Sequence, residues 1–161
     1  MSIKISPVKS QLPGTSSQIF LKTPQLHKMS GCRNIMIVKL NKLGTINEFQ
    51  DSFIRNYPFL KIEFYNKSAD LNDRKNSKIQ SANTLFQQIG LKKEGRVEIN
   101  DDLLVGDLEK ILLDEFGVTS QIFRKSGMGL WLETSMTNDW SLAKQNEYGR
   151  EIVQLSQNKQ I

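Results

Sequence analysis

The sequence predicts an α+β protein: a ferredoxin-like sandwich from two tandem βαβ repeats, with helices on one face of an antiparallel sheet and an added C-terminal helix. Three observations predict it. One stretch of the chain occurs twice, each occurrence has the pattern strand–helix–strand, and a single copy is too short to bury a stable core alone. We therefore expect one duplicated domain over residues 35–161, with repeat one at 35–90 and repeat two at 95–155 sharing a core.

The repeated stretch begins at Val38 in the first copy and at Val97 in the second. The copies read VKLNKLGTINEFQDSFIRNYPFLKIEFYNKS and VEINDDLLVGDLEKILLDEFGVTSQIFRKS. A shift of 59 residues aligns them up to Tyr57 and Phe116, and a shift of 58 aligns the remainder, because the second copy lacks one residue. A further match, at a shift of 57, aligns 84–88 with 141–145 and predicts a short helix at the end of each copy.

In the first copy, the short β-branched run at 35–40 predicts a strand. Thr45 and Glu48 have the spacing of a capping box, which predicts the start of a helix. The helix carries an apolar stripe that ends at Pro58: Ile46, Phe49, Phe53 and Tyr57. Residues 60–65 alternate with period two and predict a strand parallel to the first, through a right-handed crossover.

The second copy repeats this order with a different helix start. Strands at 96–100 and 118–125 flank a helix with the same stripe: Val105, Leu108, Leu112 and Phe116. Leu104 stands in place of the capping Thr45, so we expect Asp101 or Asp102 to cap this helix.

The remaining segments predict two loops and two further elements. Residues 66–78 form a polar loop before the first short helix, and 126–129 form a hairpin turn into a strand at 130–134. Ser141 is expected to cap a helix that runs to about residue 155. Two other arrangements stay open: two separately folded halves joined near residue 90, and a pair of ubiquitin-like β-grasp units, since VGDLEKILLDEFGV is typical of the helix in that fold.

The second half contains a helix, a QIFRKSG-type strand, an LWLET strand and a DWSL helix start. With these motifs, roughly residues 35–155 resemble a family of small uncharacterised bacterial proteins with two βαβ-type halves. The resemblance implies no activity, substrate, cofactor or catalytic residue.

The net charge of +5 belongs to the N-terminal segment. Residues 1–34 contain five of the 22 basic side chains and no acidic one, so the other 17 are matched by 17 acidic side chains in the rest of the chain. We expect residues 1–34 to be a flexible basic arm. No apolar run is long enough to span a bilayer, and the single cysteine fits a reducing compartment, which together favour a cytoplasmic protein without membrane association.

Residues suited to catalysis are scarce. The single histidine, His27, and the single cysteine, Cys32, both lie in the basic arm and have no acidic neighbour in the sequence. One histidine is too few for the usual transition-metal cluster, and no glycine-rich phosphate-binding loop is present. We therefore predict a non-enzymatic protein with no cofactor and no metal site.

Strand alternation gives one candidate binding surface, the outward face of the sheet. Its candidate binding residues are Lys61, Tyr65, Phe123, Lys125 and Trp131. Glu63, Gln121 and Glu133 share the face. An exposed aromatic face is usually covered by another element or a partner. We therefore predict a binding or assembly module that acts through its sheet face or edge, with a protein partner or self-association.

The alternative function is single-stranded nucleic-acid binding by an RRM-like face. Bases would stack on Tyr65, Phe123 and Trp131, while Lys61, Lys125 and the basic arm would neutralise phosphates. The missing RNP1 sequence and the charge balance of residues 35–161 disfavour this alternative.

Overall fold

The computed structural model describes residues 34–66, 78–79, 81 and 83–158. They belong to one compact unit, Cys32–Ile161, and they confirm the α+β class. The expected basic arm, including His27 and Cys32, lies outside the described residues except for Asn34. The helices and strands are β1 (Ile35–Leu40), α1 (Ile46–Asn56), β2 (Leu60–Tyr65), β3 (Gly95–Asn100), α2 (Val105–Phe116), β4 (Thr119–Lys125), β5 (Trp131–Glu133) and α3 (Leu142–Asn158).

The start of α1 has the predicted capping box. The Glu48 N–H donates to Thr45 Oγ1 at 3.3 Å, and the Thr45 N–H donates to Glu48 Oε2 at 3.1 Å. These bonds satisfy two of the backbone N–H groups that a helix start leaves without an intrahelical partner.

The start of α2 differs from the prediction that Asp101 or Asp102 caps it. Its N-cap residue, Leu104, makes no side-chain cap. Instead, the Val105 N–H donates to the Trp140 carbonyl at 3.0 Å, and the Gly106 N–H donates to the Asn138 carbonyl at 2.8 Å. Because backbone from the segment before α3 supplies these acceptors, no capping side chain is needed.

The strands form two antiparallel sheets, whereas the predicted sandwich has one shared sheet. β1 pairs with β3, and β4 lies between β2 and β5. β1 and β2 therefore belong to different sheets, so the predicted parallel crossover within one sheet is not formed. The pairs β1–β3 and β2–β4 each contain one strand from each copy. This pairing across the copies also differs from the two other arrangements, in which each half would fold separately or as its own β-grasp unit. Periodicity indicates which side of a strand is buried, but it does not identify the neighbouring strand.

The pairing register follows the repeat. Val38 lies opposite Val97 in β1–β3, and Glu63 lies opposite Gln121 in β2–β4. Both pairs are repeat equivalents, at shifts of 59 and 58 residues. An antiparallel pair centred on equivalent residues maps onto itself under a twofold rotation, so the pairing relates the two copies as a symmetric dimer relates its subunits.

Backbone hydrogen bonds correct the alignment of the short helix at the end of each copy. The Phe86 N–H donates to the Gly44 carbonyl at 3.0 Å, and the Leu142 N–H donates to the Leu103 carbonyl at 2.9 Å. Gly44 and Leu103 are equivalent at a shift of 59, so Phe86 corresponds to Leu142 at a shift of 56, one residue less than predicted. The first copy forms a 3₁₀ helix here, Phe86–Ile89, and the second begins α3.

One apolar core contains buried residues of both copies. In the first copy, the rings of Phe49, Phe64 and Phe86 meet edge to face. The ring centroids are 5.4 Å apart for Phe49 and Phe64, 5.6 Å for Phe64 and Phe86, and 6.2 Å for Phe49 and Phe86. The equivalent residues of the second copy are aliphatic and fully buried: Leu108, Ile122 and Leu142. The two halves of the core are therefore filled by the same positions with different side chains.

Helix α3 packs closely against Phe59 and Arg124. At Gly149 an added Cβ would lie 2.9 Å from Phe59 Cβ and 3.1 Å from Arg124 Cγ, so this approach requires glycine. Arg124 and Phe123 are adjacent in β4 and point to opposite faces. Helix α3 therefore lies on the Arg124 side of the sheet and leaves the Phe123 side for other contacts.

Candidate functional site

The candidate site is the outer face of the β2–β4–β5 sheet, which we define by Lys61, Glu63, Tyr65, Phe123, Lys125, Trp131 and Glu133. Strand pairing places Lys61 opposite Phe123, and Phe123 opposite Glu133. A shallow cavity of about 260 Å³ opens on this face. Its lining consists of Lys61, Glu63, Tyr65, Lys78, Phe123, Trp131 and Glu133.

Two aromatic rings and Lys61 form one wall of the cavity, and Lys125 stands beside that wall. Lys61 Nζ lies 5.0 Å from the centroid of the Phe123 ring and 5.1 Å from that of Trp131. Lys125 Nζ lies 6.0 Å from the Trp131 centroid. These are cation–π distances, so the ring faces are already in contact with cationic side chains of the same chain.

A largely buried carboxylate lies between two lysines. Glu63 accepts from Lys61 Nζ and from Lys78 Nζ, each at 2.6 Å, and only 8% of its side chain is exposed. Burial would raise the pKa of Glu63, but the hydrogen bonds and charges of both lysines outweigh it and hold the pKa below its ordinary value of 4.5. Glu63 is therefore a fixed anion at neutral pH.

Replacing Glu63 by glutamine is expected to lower stability at pH 7 by about 1–2 kcal/mol, because two lysines lose their counter-charge. This figure is below that of a fully buried pair, since both lysines are about a third exposed. The folded-state pKa is the lower one, so the stabilisation is present above pH 4.5 and is lost as pH falls below that value. Urea unfolding at pH 3, 4, 5 and 7 measures it. The matched control is Glu98→Gln at an exposed position of β3, and an equal loss in both variants at pH 7 would contradict the ion-pair assignment.

The structure brings the predicted binding residues together on one face. Lys61, Tyr65, Phe123 and Trp131 line the cavity, and Lys125 stands beside it over Trp131. Tyr65 points to this face but is only 9% exposed. Its ring therefore forms part of the wall and offers little open surface for stacking.

Sequence reasoning missed Lys78 because it lies in the segment predicted as a polar loop. Lys78 forms a β-bridge with Tyr65, and the Ile79 N–H donates to the Phe64 carbonyl at 3.0 Å. Phe123 pairs with Glu133 in the same way, and the Thr134 N–H donates to the Ile122 carbonyl at 3.3 Å. Lys78 is therefore the repeat counterpart of Glu133. The sequence signal for this bridge was Ile79, an apolar residue that follows Lys78 within a polar run.

The described residues carry no arrangement that points to a metal or to a membrane span. In that part of the chain, no three His, Cys, Asp or Glu residues lie close enough to hold a metal ion. Nor does any described helix combine the length and apolar character that crossing a bilayer requires.

Comparisons with known proteins add no relative to this geometry. No protein-family model, curated protein or solved structure matches the chain. The resemblance to the bacterial family therefore stays a prediction, and functional inference depends on the chemistry of the outer face.

Proposed function

We propose that the protein is a non-enzymatic binding module and that the outer face of the β2–β4–β5 sheet binds a segment of a protein partner. One observation carries the proposal: two half-buried aromatic rings stand beside a cavity whose rim holds charges of both signs. Protein interfaces combine aromatic anchors at the centre with a mixed polar rim.

The charges of the face indicate the chemistry of the partner. Lys61, Lys78 and Lys125 face two carboxylates, Glu63 and Glu133, so the surface is slightly cationic. Glu63 already pairs with two of the lysines, which leaves Lys125 as the cation nearest to Trp131 without a carboxylate among the described residues. The partner segment that fits carries an aromatic or aliphatic side chain beside an aspartate or glutamate.

The nucleic-acid alternative requires an open ring face for base stacking. Lys61 lies over both rings and is held there by Glu63, so a base would have to displace a paired ammonium group. Two carboxylates on the same face would also repel a phosphate backbone. The geometry therefore favours a protein segment.

Replacing Trp131 by alanine is expected to weaken binding of a selected peptide by roughly 30-fold, because a central aromatic anchor contributes about 2 kcal/mol. Peptides are first selected from a random phage-displayed library on the intact protein. The affinities of the wild type and of Trp131→Ala are then measured by the fluorescence anisotropy of a dye-labelled peptide, because this signal does not depend on Trp131.

Trp140→Ala is the matched control, because Trp140 lies against α3 beside Lys144 and Tyr148, away from the outer face. We expect enriched peptides to contain an acidic residue beside an apolar one and to bind Trp140→Ala as well as the wild type. Failure to enrich any peptide would overturn the proposal, and salt-sensitive binding of dye-labelled oligo(dT) that is lost in Trp131→Ala would overturn it in favour of the alternative.

A further inference from the structure

Hydrogen bonds occupy backbone groups on the outer edge of β2 and on the part of β4 that extends beyond the end of β5. On β2, Gln50 Nε2 donates to the Ile62 carbonyl at 2.7 Å, and the Ile79 N–H donates to the Phe64 carbonyl at 3.0 Å. On β4, the Ile122 N–H donates to Glu109 Oε1 at 2.8 Å. Gln50 and Glu109 are repeat equivalents, at a shift of 59, so each copy uses the same helix position to bond a strand backbone group that no neighbouring strand pairs with.

The outer edge of β5, by contrast, has backbone groups that point away from the sheet. The Thr134 N–H donates to the Ile122 carbonyl, and the Ser126 N–H donates to the Leu130 carbonyl, so the even-numbered residues of this segment bond inward to β4. An antiparallel ladder alternates, and the N–H and C=O groups of Trp131 and Glu133 therefore point outward. Within the described ranges, no hydrogen bond reaches these four outward groups.

We propose that β5 pairs with β5 of a second copy of this chain, antiparallel and about a twofold axis at Leu132. In this register Trp131 lies opposite Glu133 of the second copy and exchanges both backbone hydrogen bonds with it, and Glu133 does the same with Trp131. All outward groups of both strands are then bonded. The product is a continuous six-stranded sheet with the order β2–β4–β5–β5–β4–β2.

The side chains suit this register. Leu132, which is 47% exposed, lies directly opposite its own counterpart and buries apolar surface against it. Glu133 makes no ion pair with any described residue, and in the dimer it lies beside Trp131 of the second copy. Lys125 leans over that same Trp131, with Nζ 6.0 Å from the ring centroid, and is placed to pair with the incoming Glu133. Two such cross-pairs form, one on each side of the axis.

The dimer depends on the backbone edge of β5 and not on the proposed function, although Lys125, Trp131 and Glu133 of the outer face flank that edge. Only three residues of each copy pair, so we expect a weak, concentration-dependent dimer and not an obligate one. Both cavities would lie on the same side of the six-stranded sheet. The dimer would therefore present two copies of the binding surface to one partner.

Sedimentation of the intact chain over a range of concentrations tests the proposal. We expect the wild type to populate a dimer as concentration rises, and Leu132→Lys to raise the dimer dissociation constant by roughly tenfold or more, because two ammonium groups would face each other across the axis. Leu155→Lys is the matched control, since Leu155 is a 62% exposed leucine on α3 and not on the paired strand, and it should dimerise as the wild type does.

Cross-linking tests the register itself. Residues that face each other in a non-hydrogen-bonded antiparallel pair have a Cα separation of about 4.5 Å, which a disulfide can span. In a Cys32→Ser background, Leu132→Cys should oxidise to a covalent dimer much faster than Leu155→Cys. A wild type that stays monomeric at all concentrations, equal oxidation of the two cysteine variants, or a dimer lost in Trp131→Ala but kept in Leu132→Lys would each overturn the edge-to-edge pairing.

Discussion

Replacing Phe49 by alanine is expected to lower the free energy of unfolding by about 3–5 kcal/mol. Phe49 is fully buried in α1, and its ring meets Phe64 of β2 and Phe86 of the 3₁₀ helix edge to face. The substitution removes both ring contacts and leaves a cavity that three different elements would have to close. Because a domain of this size is stable by only about 5–15 kcal/mol, the loss is a large fraction of the total.

The repeat supplies the matched variants for this prediction. The second copy has Leu108 at the equivalent position, so Phe49→Leu introduces the residue that the fold already accepts there and should cost about 1–2 kcal/mol. Ile54→Ala, at a half-exposed position on the same helix, should cost less than Phe49→Ala by at least about 2 kcal/mol. Urea unfolding followed by circular dichroism measures all three.

The same variant tests whether the copies fold as one unit. Both tryptophans, Trp131 and Trp140, belong to the second copy, whereas Phe49 belongs to the first. Since one core contains residues of both copies, Phe49→Ala should shift the transition detected by tryptophan fluorescence as far as that detected by circular dichroism. A tryptophan transition that stays at the wild-type denaturant concentration would mean that the halves unfold separately.

Much of the local structure follows from the sequence because it depends on neighbouring residues. The apolar stripe ending at Tyr57 and the spacing of Thr45 and Glu48 are local signals, and α1 begins and ends beside them. Strand pairing is not local. Both ferredoxin-like order and the observed order bury Leu60, Ile62 and Phe64, so alternation alone does not distinguish a strand that pairs across the repeat from one in a shared sheet.

The candidate site likewise has a part that strand alternation predicts and a part that it does not. Alternation places Lys61, Phe123 and Trp131 on one face, and the structure brings them around one cavity. The burial of Glu63 and its ion pair with Lys78 depend on the segment that returns to the end of β2 and forms a bridge with Tyr65. Periodicity within a strand does not predict which segment will lie beside it. The cap of α2 was mispredicted for a related reason, because its acceptors are the carbonyls of Trp140 and Asn138, which are distant in the sequence.

Replacing Gln145 by leucine is expected to lower the free energy of unfolding by about 2–4 kcal/mol, because a fully satisfied buried amide is lost together with its partners' bonds. Gln145 has no exposed surface. Its Oε1 accepts from Arg124 Nη1 at 2.6 Å, and its Nε2 donates to the Thr137 carbonyl at 2.8 Å and to Thr137 Oγ1 at 2.6 Å. Leucine fills the space but leaves a guanidinium and a carbonyl without these partners. Gln154→Leu, at an exposed position of α3, is the matched control and should change stability by less than about 0.5 kcal/mol.

The repeat explains why this position is polar in one copy only. The shift of 56 residues that relates Phe86 to Leu142 places Ile89, which is buried, at the position of Gln145. An apolar residue is therefore compatible with the fold, and the second copy has glutamine because Arg124 and Thr137 face it. A double variant, Gln145→Ile with Arg124→Leu, removes the donor that Gln145→Ile alone would leave unpaired. We expect it to lose less stability than the two single variants added together, and additive losses in urea unfolding would show that Gln145 and Arg124 do not interact.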